Sequence, residues 1–193
     1  MKKTTAVLSV IIIALLIGAT AYAIYTLHLP SGTESQKETI TIIDVTGAQV
    51  NVTVPVERIV TLNPGLTEIL CALGGEARIV GRDASSLFPD SILEKPVVGQ
   101  NSYEPNLELL LEKEPDLLVA DSMLPFNAEA LEKIKNAGIP VIIEEPSNVS
   151  RLKILANNFG LILSNEEKAG ELIEFVETYE NLVNDRVAAL TES

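Results

Sequence analysis

The sequence predicts an α/β fold in which a mainly parallel sheet carries helices on both faces. From Arg58 onward, short apolar segments alternate with amphipathic helical patterns. Strands that alternate with helices need crossover connections, which place the helices against the faces of a parallel sheet. A hairpin pattern precedes this region, and a helical pattern of about 26 residues follows it. We therefore predict one α/β domain between an N-terminal β-hairpin and a long C-terminal helix.

The hairpin is predicted around Thr46-Gly47. The segments TITIIDV and VNVTV lie on either side of this dipeptide, and Val50, Val52 and Val54 alternate with polar residues. Alternation of period two indicates a strand with one buried face, and Gly is typical of the turn between two such strands. Five further apolar segments are predicted as strands of the main sheet: 58–62, 77–81, 96–98, 116–120 and 140–144.

Helical patterns separate these five strands. In chain order they begin near Pro64 and end at Gly74-Gly75, lie within EPNLELLLE (104–112), span 127–137, and run from a cap at Ser147 to the region of Gly160. Ser164-Asn-Glu-Glu167 then has the pattern of a capping box, which predicts the start of the last helix. Its apolar residues recur at spacings of three and four: Ala169, Leu172, Val176, Tyr179, Val183, Val187 and Leu190.

The N-terminal segment predicts export from the cytoplasm. Lys2 and Lys3 precede an apolar run from Ala6 to Tyr25. Ala21-Tyr22-Ala23 fits a signal peptidase site, yet the run exceeds the roughly 7–15 residues usual in a signal peptide. About 20 apolar residues suffice for a membrane-spanning helix. We predict a signal peptide or membrane anchor over 1–29, with the length favouring an anchor, and a polar linker over 30–38.

Composition excludes several classes of function. The net charge of −13 would repel phosphate backbones, so nucleic acid is not expected as a partner. Cys71 is the only thiol and His28 the only imidazole. A disulfide within the chain, a histidine-based metal site and a Ser-His or Cys-His nucleophile pair are therefore excluded. With no glycine-rich nucleotide motif either, we expect no catalytic residues, no resident metal and no cofactor.

The order of several motifs is more specific than the fold class. The segments that carry it are ERIVTLNPGLTEILCALGGEARIVGR (57–82), FPDSILEKPVVGQ (88–100), PNLELLLEKEPDLLVAD (105–121) and AGIPVII (137–143). Together with the capped helix from Ser164, they resemble the iron-siderophore and vitamin B12 type of substrate-binding protein, the extracytoplasmic receptors of ABC importers.

The resemblance implies a two-lobed architecture in which one long helix joins the lobes and ligand lies between them. On this basis, 39–163 is expected to be the N-terminal lobe and 164–193 the connecting helix, with the second lobe absent from this chain. The apolar stripe of that helix needs a partner surface. A second lobe or a second copy of the chain, bound through 164–190, remain alternative partners.

The resemblance also implies the ligand-contacting positions Asn63, Arg82, Phe88, Tyr103 and Phe126. Asn63 can serve equally as the cap of the helix that follows it. Arg82 could pair with an acidic group of the ligand, or with Asp83 or Asp121 on the protein surface. The lack of Trp disfavours a corrinoid, because large planar ligands gain affinity from aromatic walls.

Glu108 is the implied contact with the membrane permease. It lies in the Asn106-Leu107-Glu108 motif, where the family uses a surface acid to meet permease arginines. A carboxylate and a guanidinium form a directional pair, which suits this role. From the residues alone, Glu108 and Glu112 could also be a solvated helix face.

The expected function is therefore binding, without catalysis, in an ABC import system. The expected ligands are ferric siderophores or cobalamin-like metal chelates. The alternative is a membrane-anchored docking or scaffolding subunit that acts through its long C-terminal helix. These two functions predict different properties for the strand-end loops and for the helix 164–190.

Overall fold

A two-stranded antiparallel hairpin opens the part of the chain that the computed structural model describes, which is residues 37–191. Its strands are β1 (Glu38–Ile43) and β2 (Gln49–Val54), in a register that pairs Ile42 with Val50. Val52 and Val54 are buried and Val50 is partly buried, so the predicted inward face is confirmed. The predicted leader over 1–29 and the linker up to residue 36 lie outside the described residues.

A five-stranded parallel sheet forms the centre of the fold. In chain order its strands are β3 (Ile59–Leu62), β4 (Ile79–Asp83), β5 (Val97–Gly99), β6 (Leu117–Ala120) and β7 (Val141–Ile143). Their order across the sheet is β5-β4-β3-β6-β7, and every neighbouring pair is parallel. Such strands are covered on both faces, which explains why they appear in the sequence as unbroken apolar runs.

Five α-helices connect and follow these strands. In chain order they are α1 (Pro64–Ala72), α2 (Leu107–Glu112), α3 (Ala128–Asn136), α4 (Val149–Leu163) and α5 (Glu166–Thr191). Four of them begin at an asparagine whose side chain accepts a backbone N–H of the first turn: Asn63, Asn106, Asn127 and Asn148.

The helices divide the apolar core into two clusters, one on each face of the sheet. On one face, α1, α4 and the hairpin pack on side chains such as Ile59, Val119 and Ile142. On the other face, α2 and α3 pack on side chains such as Val60 and Leu118. The α/β fold with helices on both faces is therefore confirmed.

The hairpin is held to the edge of the sheet by its turn. Val45 N–H donates to the Ile143 carbonyl at 3.0 Å, and Ile143 N–H donates to Asp44 Oδ2 at 3.3 Å. The other carboxylate oxygen of Asp44 accepts from the backbone N–H groups of Thr46 and Ala48. Asp44 thereby shapes the turn and covers part of the exposed edge of β7, which would otherwise be open to pairing with another chain.

Two predicted helix boundaries are wrong. The cap of α4 is Asn148 rather than Ser147, because Asn148 Oδ1 is the group that accepts Arg151 N–H, at 2.9 Å. Ser164 does not cap α5. It ends α4 in the left-handed conformation, with φ 50°, and its N–H bonds back to Leu161. A Ser with a nearby glutamate matches a capping box in sequence, but the close approach of α4 to α5 requires a sharp reversal at this position.

The last helix is 26 residues long, as predicted. Its first turns pack on α4, where Ala169 is buried and Leu172 is partly buried against the core. From residue 181 to residue 190, every side chain is exposed. Among residues 37–191, no helix is both long and apolar enough to cross a membrane.

Candidate functional site

The order of the strands creates a topological switch point at the carboxyl edge of the sheet. From β3 the chain proceeds outward through β4 to β5, and it then returns to place β6 on the other side of β3. The helix that follows β3 packs on one face and the helix that follows β6 packs on the opposite face. In doubly wound sheets, ligands bind at the carboxyl ends of the strands where two such connections diverge.

Three polar side chains from different loops meet at this point. Asn63 follows β3, Ser102 follows β5 and Asp121 follows β6. Asn63 Nδ2 donates to Asp121 Oδ2 at 3.0 Å, and Ser102 Oγ donates to Asp121 Oδ1. Met123 N–H also donates to Asp121 Oδ1, at 3.0 Å. Asp121 therefore fixes the relative positions of three loops while its carboxylate remains only partly buried.

Asn63 has the capping role that its sequence context suggested, and its amide has a second structural role. Its Oδ1 caps α1 by accepting Leu66 N–H at 3.1 Å, and its amide donates to Asp121. Because both ends of its amide are engaged, Asn63 acts mainly by positioning these loops and has little to offer a ligand. The half-buried side chain still lies at the predicted edge.

Exposed aromatic rings follow three strands at the same edge, two on one side of β3 and one on the other. Phe88 follows β4, Tyr103 follows β5 and Phe126 follows β6, with exposures of 63%, 43% and 79%. Asn127 Nδ2 donates to the Tyr103 carbonyl at 2.8 Å, so the loops that carry Tyr103 and Phe126 are joined. Exposed rings are costly to keep in water and are typical of a surface that binds an apolar or planar group.

Arg82 has a structural role that the sequence did not suggest. It is 7% exposed, and its guanidinium donates to the carbonyls of Lys95, Asp83 and Ser86 at 3.1–3.2 Å. It forms no pair with the carboxylate of Asp83 or Asp121, so that alternative from the sequence is wrong. A ligand acid would have to compete with three backbone acceptors, and we leave Arg82 out of the proposed site.

A buried polar network supports the loop after β4. Thr67 bonds to Thr61 at 3.1 Å and to Ser86 at 2.8 Å, and Ser86 Oγ donates to Asp83. Burial raises the pKa of the Asp83 carboxyl group, and the hydrogen bond from Ser86 opposes this shift. These side chains hold the start of the loop that presents Phe88.

Glu108 lies beside this edge, in the first turn of α2. It is exposed, and within residues 37–191 its carboxylate makes no hydrogen bond or ion pair. Glu112, one turn later, pairs with Lys113 at 3.0 Å. The two acids that looked equivalent in sequence therefore differ, since only Glu108 is available for a new partner without loss of an existing pair.

Cys71 offers no reactive thiol. Burial raises the pKa of the Cys71 thiol to about 11, so it remains protonated at neutral pH and packs against the core as an apolar group. In the part of the chain that the structure describes, no group of three or more His, Cys, Asp or Glu side chains could hold a metal ion.

From the sequence, Asp121 was expected only as a possible partner of Arg82, and Ser102 was not singled out. They fall within loops expected near the ligand, but nothing in the local pattern distinguishes them from other polar loop residues. The useful signal is the position of these residues in the topology. Asp121 directly follows β6, which lies next to β3, and Ser102 comes a few residues after β5, which lies near β3. Once the strand order is known, Asp121 is the acid nearest the point where the chain changes direction.

The fold and the edge together define a class of protein: a doubly wound α/β binding lobe that presents aromatic and acceptor groups at its switch point. Residues 59–193 match the family described as Periplasmic binding protein. The chain belongs to this family.

The similarity to known relatives covers only part of the length of each relative. The uncharacterized ABC transporter substrate-binding lipoprotein YvrC of Bacillus subtilis (strain 168) is 28% identical over 137 residues, which are 70% of this chain and 43% of that protein. The vitamin B12-binding protein of Yersinia pestis (strain Pestoides F) is 26% identical over 138 residues, 68% of this chain and 46% of that protein. The chain thus spans less than half the length of these curated relatives.

A solved structure supports the same fold. The periplasmic solute binding protein from Veillonella parvula DSM 2008 superposes with a TM-score of 0.66 at 22% identity, over 77% of this chain and 48% of the other. At this level of identity, the likeness concerns the arrangement of strands and helices alone.

Proposed function

We propose that the chain is the N-terminal lobe of an extracytoplasmic substrate-binding component in an ABC import system. The observation that carries this proposal is the row of exposed aromatic rings, Phe88, Tyr103 and Phe126, at the switch-point edge of a periplasmic binding protein fold. The names of the relatives support the import system, and one of them supports a metal-chelate ligand. The lobe binds ligand without transforming it.

The proposed ligands are ferric siderophores or cobalamin-like chelates. Such ligands present a large, partly apolar surface, which exposed rings can cover at low conformational cost. Phe88, Tyr103 and Phe126 contact the ligand, whereas Asn63 and Asp121 hold the loops in place. The cleft is completed by a second lobe. The export segment predicted over 1–29 supports a location of this lobe outside the cytoplasm.

Ligand binding is tested by thermal unfolding of the full-length chain in detergent solution. We expect ferrioxamine B, ferric enterobactin or cyanocobalamin to raise the melting temperature, because a ligand at a hundredfold excess over its Kd stabilises the folded state by about 2.7 kcal/mol. Phe126→Ser should abolish the shift. Phe175→Ser removes another exposed ring, from α5, and should leave the shift intact. An unchanged melting temperature with every ligand would refute the proposal.

Docking to the permease is assigned to Glu108. Since its carboxylate is exposed and unpaired among residues 37–191, replacing it with arginine reverses the charge at the contact without breaking an internal pair. We expect Glu108→Arg to weaken association with the reconstituted permease by about tenfold or more, mainly through charge repulsion. Glu112→Arg makes the same change of net charge one turn away and should have little effect. Equal losses would show that bulk charge alone matters.

The alternative function, scaffolding through α5, is favoured by a separate observation. Phe175, Tyr179, Val183 and Val187 form an exposed apolar stripe along this helix. If the stripe binds a second copy, sedimentation should show a dimer that Val183→Asp dissociates, because a buried carboxylate would be left unpaired. Thr178→Asp adds the same charge to the polar side of the helix and should preserve the dimer. A monomer at all concentrations would exclude self-association.

A further inference from the structure

The loops at the carboxyl ends of the five parallel strands carry charges of one sign. These loops contain six acidic residues and not one Lys or Arg: Asp83, Asp90, Glu104, Asp121, Glu144 and Glu145, within the segments 63, 83–90, 100–106, 121–127 and 144–148. Within these segments, the edge that the proposed function assigns to the ligand therefore has acids and no Lys or Arg to balance them.

Basic side chains are present at the opposite edge of the sheet. A Lys or Arg precedes each of the five parallel strands by a few residues: Arg58, Arg78, Lys95, Lys113 and Lys135. Two of them have a clear structural reason to be there. Arg58 donates to the carbonyls of Lys113 and Glu114, and Arg78 donates to those of Val56 and Leu163. The amino ends also carry acids, such as Glu57, Glu76 and Asp116, so both signs of charge are present there, whereas the carboxyl-end loops carry acids without Lys or Arg.

Not all of the six acids can face a ligand. Asp83 and Glu144 are buried and bonded to Ser86 and Arg151. Asp121 and Glu145, by contrast, are only half-buried, and they follow the neighbouring strands β6 and β7. Ser122 Oγ donates to Glu145, which ties the second acid to the loop of the first. Two carboxylates are thereby held side by side at the switch point.

The nearby cations cannot neutralise this pair. Arg82 donates to three backbone carbonyls, and Arg151 is bound to the buried Glu144. The exposed rings of Phe88, Tyr103 and Phe126 lie at the same edge. Because the face of an aromatic ring attracts cations, these rings also favour a positively charged ligand group. Acidic and aromatic groups therefore favour the same sign of ligand charge.

We propose that this edge takes the positively charged, hydrogen-donating part of a ligand, with Asp121 and Glu145 as the residues that select for charge. The inference rests on the proposed binding function and adds a substrate class to it: cationic metal chelates, such as those with a free amine, are accepted, and chelates of net negative charge are disfavoured. Opposed charges across a partly desolvated contact contribute more to selectivity than to raw affinity.

A series of chelates that differ only in charge tests this inference. Ferrioxamine B has a free amine, its N-acetyl derivative is neutral there, and its N-succinyl derivative carries a carboxylate. With the full-length chain in detergent solution at low salt, we expect calorimetric affinities to decrease in that order by about five- to tenfold per step. The differences should shrink at high salt, where exposed charges are screened.

Charge variants identify the residues responsible. Asp121→Asn combined with Glu145→Gln should remove most of the preference for the amine, while each substitution keeps side-chain size and a hydrogen-bond acceptor. Glu57→Gln removes one exposed charge just before β3, at the amino edge, and should leave the order unchanged. Equal loss of preference in Glu57→Gln would assign the effect to net charge and overturn the role of Asp121 and Glu145.

The outcomes also separate this inference from the proposed function. If the succinyl derivative or anionic ferric enterobactin binds more tightly than ferrioxamine B, the binding function stands and the charge preference is wrong. If affinities are equal across the series, the charge preference is likewise wrong. If no chelate of any charge binds, the proposed function fails and the inference falls with it.

Discussion

Arg151→Met is expected to lower the free energy of unfolding by about 3 kcal/mol, within the range for breaking a buried ion pair by removal of one partner. Glu144 is 0% exposed, and its Oε2 accepts from Arg151 Nε at 3.0 Å and from Nη2. Its Oε1 is also buried and has no hydrogen-bond partner among the described residues. Without the guanidinium, the carboxylate would be left uncompensated in the core.

The loss should depend on pH in a defined direction. Burial raises the pKa of Glu144 above its ordinary value, and Arg151 opposes the shift. A carboxyl group whose pKa is raised by folding contributes stability that is complete below its unfolded pKa and is lost as pH rises through its folded pKa. Removing Arg151 raises the pKa further, so the deficit of the variant should be largest at about pH 8 and smaller at about pH 4.

Urea denaturation at both pH values provides the measurement. In a Glu144→Gln background, Arg151→Met should cost less than about 1 kcal/mol, because the uncompensated charge is no longer present. A deficit of the same size in both backgrounds would mean that Arg151 stabilises the fold through the packing of its side-chain stem alone. A deficit that grows toward acidic pH would contradict the assigned direction of the pKa shift.

Gly160→Val is expected to cost about 3 kcal/mol of stability, since overpacking a close contact forces helices apart. Gly160 lies in α4 where α5 crosses it. A Cβ atom at this position would be 2.6 Å from the Cβ of Ala169, and the backbone of Asn165 and Glu166 lies within 3.5 Å. The helices can approach this closely only because residue 160 has no side chain.

Gly170 provides the matched control for this substitution. It lies one residue beyond Ala169 in α5, and a Cβ there would meet nothing within 4 Å. We therefore expect Gly170→Val to change the free energy of unfolding by no more than about 0.5 kcal/mol, as for an exposed helix position. Similar losses at the two glycines would show that helix propensity, and not the contact between α4 and α5, determines the outcome.

The contact at Gly160 also matters for function. It fixes the start of α5 against the lobe. The direction of the rest of α5, which carries the exposed stripe of Phe175, Tyr179 and Val183, depends on this contact. If α5 connects two lobes, a shift at this contact would alter the geometry of the cleft as well as stability. Ligand affinity of Gly160→Ala, whose Cβ would already force Ala169 to shift, would report on this link.

The sequence predicted the elements of the fold well because their signals are local. Unbroken apolar runs of three to five residues indicated buried parallel strands, and all five are present within two or three residues of their expected bounds. The boundaries at Ser147 and Ser164 were less predictable. Several Ser and Asn residues there could serve as caps, and the packing of α4 on α5 decides which of them do.

The candidate site was predictable as a set of loops but not as a set of roles. Arg82 looked like a ligand for an acidic group, yet the loop after β4 folds so that its carbonyls engage the guanidinium. Glu108 and Glu112 looked alike until Lys113 was found to pair with only the second. These outcomes depend on the path of the backbone and on the groups that it brings together. The pattern of residue types along the sequence does not encode that path.

By itself, the sequence determined the α/β class, the hairpin, the alternation of strands with helices and the 26-residue terminal helix. It also determined the acidic balance of the chain, which has 27 acidic and 14 basic residues. Only the tertiary structure decided the strand order, the hydrogen bond between Asn63 and Asp121, and the placement of Asp121 and Glu145 in linked loops. The physical reason is range: periodicity and capping act within a few residues, whereas strand order and the bond from Asn63 to Asp121 join segments that become neighbours only when the core packs.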